Sequence, residues 1–378
     1  MISKLLVSIA LVAISTRGEA QGALSLQGLG YPAGGLSARA EGTGGGVGDF
    51  DAISLVNPAS LAGVGSTALF FQYSPEFRRV TAGSSTAKTT TARFPLVAGV
   101  LPMGQQWTLG LSSSTFLDRS SETSLVRRQV IGDATDTVEV TERNRVLGAI
   151  NDVRLALAWS GSPIFRVGVG AHVFAGSNRI TFGQLFPDSS RYISTSQSGR
   201  ISFAGFAGSI GVEYHPSRAI GFALSGRKGG DLSAQSGDTA IGRARLPDHY
   251  SGSVIYEGVP GVSLSGRVAH DGWSSLSSLS SANTKAFDGW DTGVGLEASG
   301  PRIMQRLVTL RAGARFRTLP FGFNGDKVSE KSFAAGLGVP LTRQRASFDF
   351  ALQHASRTSA ADVKERGLIL SFGLRVSP

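Results

Sequence analysis

Arg311, Arg315 and Arg317 share one side of the stretch Leu310–Arg317, with Leu310, Ala312, Ala314 and Phe316 at the alternate positions. Guanidinium groups at this spacing can grip a carboxylate or phosphate through paired hydrogen bonds. They can equally form a charged lining that keeps water and counter-ions comfortable. A second cluster is acidic: Asp49 and Asp51 stand just before Asn57-Pro58-Ala59. Two such carboxylates could hold a cation, but a salt bridge or a water contact asks for less. The remaining chemistry is sparse. His172, His215, His249, His270 and His354 lack metal-ligand spacing, and there is no cysteine. Neither a Gly-x-Ser-x-Gly elbow nor a phosphate-binding loop occurs. Gly168-x-Gly170, Gly293-x-Gly295 and Gly336-x-Gly338 lie in alternating stretches without the strand–turn–helix setting of a dinucleotide site. The chain is therefore not expected to be an enzyme, nor to carry a metal or cofactor.

The elements that position these groups are written in period two. Leu155, Leu157 and Trp159 alternate with Arg154, Ala156 and Ala158; Val262, Leu264 and Val268 with Ser263, Ser265 and Arg267. Phe348, Phe350 and Leu352 alternate with Ser347, Asp349 and Gln353, and the pattern continues from Leu368 to Val376. One greasy and one polar face is the signature of a β-sheet. Short breaks near Pro102, Gly161, His215, Gly258, Gly300 and Pro340 alternate with longer polar stretches at Arg78–Ser85, Asp118–Asn144, Ala175–Ser198, Lys228–Ile241, Gly272–Thr284, Thr318–Ser329 and Ser356–Lys364. Strands between all of them number about 14, with both termini on the short-turn side, as in bacterial outer-membrane barrels. Trp107, Trp159, Tyr214, Tyr256 and Trp273 fall near strand ends, where interfacial girdles sit. An Arg on lipid near mid-membrane costs about 2–4 kcal/mol. Arg311, Arg315 and Arg317 must then face the lumen.

Composition agrees with this reading. The 378 residues include 50 glycines, and charged residues make up only 17%. No apolar run reaches the ~18 residues of a membrane helix. Lys4, the apolar run Leu5–Ile14 and the small residues Gly18 and Ala20 read as a secretory signal peptide cleaved after Ala20. A net charge of +10 in an exported chain points to a pore lining or anionic lipid rather than nucleic acid. Three regions are expected: 1–20 signal peptide, 21–65 inner plug or hatch, 66–378 barrel. A barrel of this size is too wide for its wall side chains to fill, so it is open or plugged. The non-alternating, glycine-rich segment before the first strand is the natural plug.

Small residues and glycine, the acidic pair Asp49 and Asp51, and Asn57-Pro58-Ala59 just before the first strand together resemble the FadL family, outer-membrane transporters of long-chain fatty acids and other hydrophobic compounds. Leu246-Pro247 opening a strand, Trp273 just past the next one, and Leu310-Arg311-Ala312-Gly313 extend the resemblance. It implies an all-β, antiparallel transmembrane barrel of 14 strands closed by an N-terminal hatch. Hydrophobic ligand would diffuse passively inward and leave sideways through a gap in the wall. It also implies outer-membrane lipid and the barrel-assembly machinery as partners, although the chain ends Val376-Ser377-Pro378 rather than on an aromatic residue. A monomer is expected, and Arg311, Arg315 or Arg317 are the candidates to meet a ligand head group. Two other functions fit the same pattern: a PorV-like barrel that holds secreted proteins, and an anion-leaning diffusion porin.

Overall fold

The computed structural model describes residues 24–378, apart from 84, 131–136, 189–190, 281–283, 304–305, 342–344, 361–362 and 378. The expected signal peptide lies outside the described residues. Sixteen β segments run in chain order: β1 (Ala68–Ala82), β2 (Ser85–Met103), β3 (Trp107–Asp118), β4 (Ser121–Val130), β5 (Thr137–Ser162), β6 (Phe165–Leu185), β7 (Thr195–Tyr214), β8 (Ile220–Ser236), β9 (Thr239–Arg245), β10 (His249–Val259), β11 (Val262–Asp271), β12 (Gly289–Ile303), β13 (Arg306–Thr318), β14 (Ser329–Leu341), β15 (Ala346–Thr358) and β16 (Val363–Val376). β3 and β4 are two halves of one barrel strand, as both pair with β5. β9 and β10 form another, both pairing with β8. Fourteen antiparallel strands thus close into a barrel, sealed where β1 meets β16.

The alternation sorts by face as expected. Leu69, Phe71, Leu155, Leu224, Leu264 and Leu310 are exposed on the outside, whereas Gln72, Glu76, Arg154, Ser225, Arg267 and Arg311 are buried inside. Such a wall is stable only where hydrocarbon, not water, meets its outer face.

Two expectations are corrected. Arg78–Ser85, Asp118–Asn144, Ala175–Ser198 and Lys228–Ile241 are mostly strand rather than loop. β5 has 26 residues, where about 9–11 cross a bilayer. Beyond the hydrocarbon both faces of a strand meet water, so period two fades while backbone pairing continues. Trp273, expected in a girdle, is 5% exposed and lies inside the barrel mouth. It opens a 3-10 turn, Trp273–Leu279, that folds inward. Trp107, Tyr214 and Tyr256 do lie exposed on the outer face.

Candidate functional site

The interior is filled from the N-terminal side. A short helix, α1 (Ala38–Gly42), packs against β13–β16, and a 3-10 turn, Pro58–Gly63, packs against β3 and β5–β7. Sequence explains the local form. Ser37 caps α1 by accepting from the Ala40 N–H at 3.1 Å. Asn57 caps the 3-10 turn by accepting from the Ala59 N–H at 3.0 Å, and Pro58 supplies a preset φ in its first turn.

Close approach of this segment to the wall depends on missing side chains. A Cβ on Gly211 of β7 would sit 1.8 Å from Asn57 Oδ1, and one on Gly168 of β6 would sit 2.4 Å from the Pro58 carbonyl carbon. Opposite, Gly293 and Gly313 press on the backbone of Gly44 and Thr43, at 2.2 and 2.1 Å from where a Cβ would stand. Gly168, Gly293, Gly295 and Gly336 of the alternating stretches are therefore docking positions, which the sequence reading saw only as small wall residues.

The acidic pair divides its work. Asp49 is fully buried and bonded to the wall. It accepts from the hydroxyls of Ser225 (3.0 Å), Ser251 (2.7 Å) and Ser253, and from Arg267 Nε at 3.1 Å. Asp51 stays within the segment, accepting from Ser37 Oγ at 2.5 Å and Ser54 Oγ at 2.7 Å. Asn57 Nδ2 donates to the Asp49 carbonyl at 3.0 Å, joining the two parts of the motif. Ala59 is fully buried. Among the described residues no group of acids and histidines could hold a metal ion.

Arg311, Arg315 and Arg317 all face inward, and each is held by carboxylates. Arg311 bonds Glu297 at 2.7 Å and Asp349 at 2.6 Å; Arg315 grips Asp291 with two bonds of 2.7 and 2.6 Å; Arg317 bonds Glu330 at 2.6 Å. Arg315 and Arg317 border the cavity described below, and Arg311 does not.

Tyr31 was not singled out by the sequence. Its ring is surrounded by the guanidinium groups of Arg357, Arg317, Arg93 and Arg78, at 4.5, 4.8, 5.4 and 5.9 Å from its centre. Glu76, Glu330, Glu365 and Asp118 neutralise those four cations. Tyr31 also pairs its backbone with Asp118, exchanging two hydrogen bonds of 2.9 and 2.8 Å. Asp118 is the last residue of β3, where the strand breaks at Arg119-Ser120. β2 pairs with β3 only from Leu96 to Met103, and among the described residues nothing of β2 pairs with β4. The wall is thus unzipped on this side, and Tyr31 with the Arg93–Asp118 ion pair spans the opening. A second break, Leu246–Asp248, leaves β9 without a neighbour in β11. There Ser275 and Ser278 of the 3-10 turn donate to the carbonyls of Arg245 and Arg243.

Between the inner segment and the wall lies a cavity of about 120 Å3, open to solvent. Leu36 and Leu55 of the inner segment line one side, and Phe116 of β3 and Trp273 line another. Phe116 meets Phe174 edge-on at 4.8 Å and stacks with Trp273 at 5.3 Å. Leu29, Phe203, Leu232, Leu246 and Phe321 continue this apolar interior. Arg227 covers the Phe116 and Phe174 rings at 5.2 and 5.4 Å. Among the described residues its one salt bridge is to Asp152, at 3.8 Å, and its buried Nε has no hydrogen-bond partner. Asp152 is instead engaged by His172 Nδ1 at 2.9 Å, and His172 Nε2 contacts Ser209 at 2.8 Å. Alternation with Phe222 and Leu224 could have placed Arg227 inside; its weak pairing is visible only in three dimensions.

No protein-family model and no curated protein sequence matches the chain. Solved structures do. A Pseudomonas aeruginosa FadL homologue superposes with a TM-score of 0.61 at 11% identity, over 90% of this chain and 98% of its own. The Pseudomonas putida toluene transporter TodX gives 0.58 at 14% identity, over 91% and 98%. The Ralstonia pickettii toluene transporter TbuX gives 0.55 at 15% identity, over the same shares. The breaks, the docked inner segment and the closed 14-strand wall thus belong to a chain with the fold of the FadL-type outer-membrane transporters.

Proposed function

We propose that this protein is an outer-membrane channel through which hydrophobic small molecules diffuse passively past an N-terminal plug. The observation that carries the reading is the cavity bordered by Leu36, Leu55, Phe116 and Trp273 beside charged groups such as Arg227 and Asp152, which adjoins the unzipped wall at Asp118. An open porin needs neither feature. Ligand would collect beside Phe116 and Trp273, pass beside the plug, and leave between β2 and β4 when Tyr31 and Arg93 release Asp118. Likeness to a FadL homologue and to two toluene transporters supports this class of cargo.

For a ligand ending in a carboxylate, Arg227 is the head-group partner the geometry favours, since its guanidinium stands over the aromatic floor with a donor to spare. Arg315 and Arg317 border the same cavity but are already bonded, and Arg311 anchors α1 through Glu297, which also binds Arg39 at 3.0 Å. Arg227→Gln is expected to weaken binding of a long-chain fatty acid about tenfold while leaving the corresponding alkane unchanged. Equal loss of both, or loss of neither, would reject Arg227 as the carboxylate partner.

The broader reading is tested by mass spectrometry of small molecules that co-purify in mild detergent, together with planar-bilayer conductance. Bound hydrophobic compounds and low conductance are expected. Large steady conductance with no such ligand would indicate a diffusion porin, and capture of exported proteins without any effect on uptake would indicate a PorV-like scaffold.

A further inference from the structure

On the outer face of β2, β1, β16, β15 and β14, one cross-strand row is cationic. Lys88 lies directly opposite Arg79, Arg79 opposite Arg366, Arg366 opposite Ser356, and Ser356 opposite Lys331. Lys364 stands one outward position further along β16. All five basic side chains are exposed. Among the described residues none of them pairs with a carboxylate. The acids of these strands are turned the other way: Glu76, Glu330 and Glu365 are buried inside with Arg78 and Arg357, and Asp349 bonds inward to Arg311.

This arrangement is unfavourable for the barrel alone. Like charges directly opposite on neighbouring strands repel, and here three basic residues are contiguous across two strand pairs. The row just below, toward the short-turn end, is mostly apolar, with Phe77, Leu368 and Phe333 exposed at 47%, 39% and 64% and only Thr90 and His354 polar. A cationic row above a mostly apolar one matches an anionic amphiphile lying against the wall, its acyl chains on Phe77, Leu368 and Phe333 and its charge on the guanidinium and ammonium groups. Arg offers the forked donors that suit phosphate, and Lys adds point charge.

We propose that the outer face of β14–β16, β1 and β2 binds the phosphate of a lipid head group in the leaflet at the long-strand end of the barrel, with Arg79 and Arg366 as the central pair and Lys88, Lys331 and Lys364 flanking them. The proposal rests on the membrane-barrel reading but not on transport, because these side chains point away from the lumen and its cavity.

The test uses the full chain in mild detergent, titrated with a bisphosphorylated acylated glucosamine disaccharide and followed by native mass spectrometry. The same lipid without phosphates, phosphatidylcholine and inorganic phosphate serve as the other probes. The intact protein is expected to retain the phosphorylated lipid at least tenfold more strongly than the dephosphorylated one. Arg79→Gln with Arg366→Gln should remove that difference while leaving β-sheet circular dichroism, heat-modifiable gel mobility and binding of hydrophobic ligand unchanged. Lys228→Gln, a change at another exposed cation, should leave it intact. Retention that ignores the phosphates, or that survives the double substitution, would overturn the proposal. Equal competition by inorganic phosphate would reduce the row to a free-anion site and overturn the lipid assignment.

Discussion

Asp49 carries the strongest single tie between the inner segment and the wall, because four donors from β8, β10 and β11 converge on one buried carboxylate. Removing one partner of a buried, hydrogen-bonded charge pair typically costs about 3–5 kcal/mol. Asp49→Ala is therefore expected to lower the urea midpoint in detergent and to raise bilayer conductance as the plug loosens. An unchanged midpoint and conductance would show that Asp49 is not the tie. Glu41 is the complementary case. Burial pushes its carboxyl up to about 7, while the Ser371 hydrogen bond and the Arg315, Arg317 and Arg93 charges pull it down; the Gln72 amide stands at 3.4 Å. The folded protein thus holds a proton that the unfolded chain releases at an ordinary carboxyl value. Stability from this group is present at acid pH and is lost as pH rises toward 7. Glu41→Gln should flatten the stability slope between about pH 5 and 7, measured by urea titration at each pH; an unaltered slope would place the titrating group elsewhere. The inward direction of Arg311, Arg315 and Arg317 was legible in the sequence, since period two leaves no other choice beside Leu310 and Phe316. Their carboxylate partners were not, because Glu297, Glu330 and Asp349 lie on other strands and pair only after register is set.

At the scale of elements, glycines and breaks do the organising. Gly293 and Gly313 let the Thr43–Gly44 backbone touch the wall, so a side chain at either should push the plug off its seat. Gly313→Val is expected to expose residues 24–64 to protease while the barrel keeps its heat-modifiable mobility; full protection would contradict the docking role. The unzipped wall makes a separate prediction. Arg93→Ala and Asp118→Ala should each loosen the β2–β4 opening, and the double variant should do no more than either single one, because both act on one ion pair. Simple additivity in ligand exit rate would argue that they act independently. The membrane-crossing parts of the strands, unlike their extensions beyond the bilayer, were readable from alternation. The break at Arg119-Ser120 was not, as it carries neither Gly nor Pro, whereas Pro247 marks the other break. Tyr31 was equally hidden: it sits in a segment without periodicity, and only the fold brings four guanidinium groups around it.

For the whole molecule, near-neutral hydropathy and a charge of +10 reflect two surfaces with opposite demands. Much of the positive charge is paired inside, and a further share forms the cationic row outside. Passage of hydrophobic cargo past the inner segment is the central property proposed for this barrel. The direct measurement is the initial uptake rate of labelled toluene and labelled oleate, beside a labelled disaccharide, in cells lacking their own channel for such compounds and expressing this chain. Faster uptake of at least one hydrophobic compound with no change for the disaccharide is the predicted result. Disaccharide uptake without any gain for toluene or oleate would contradict it.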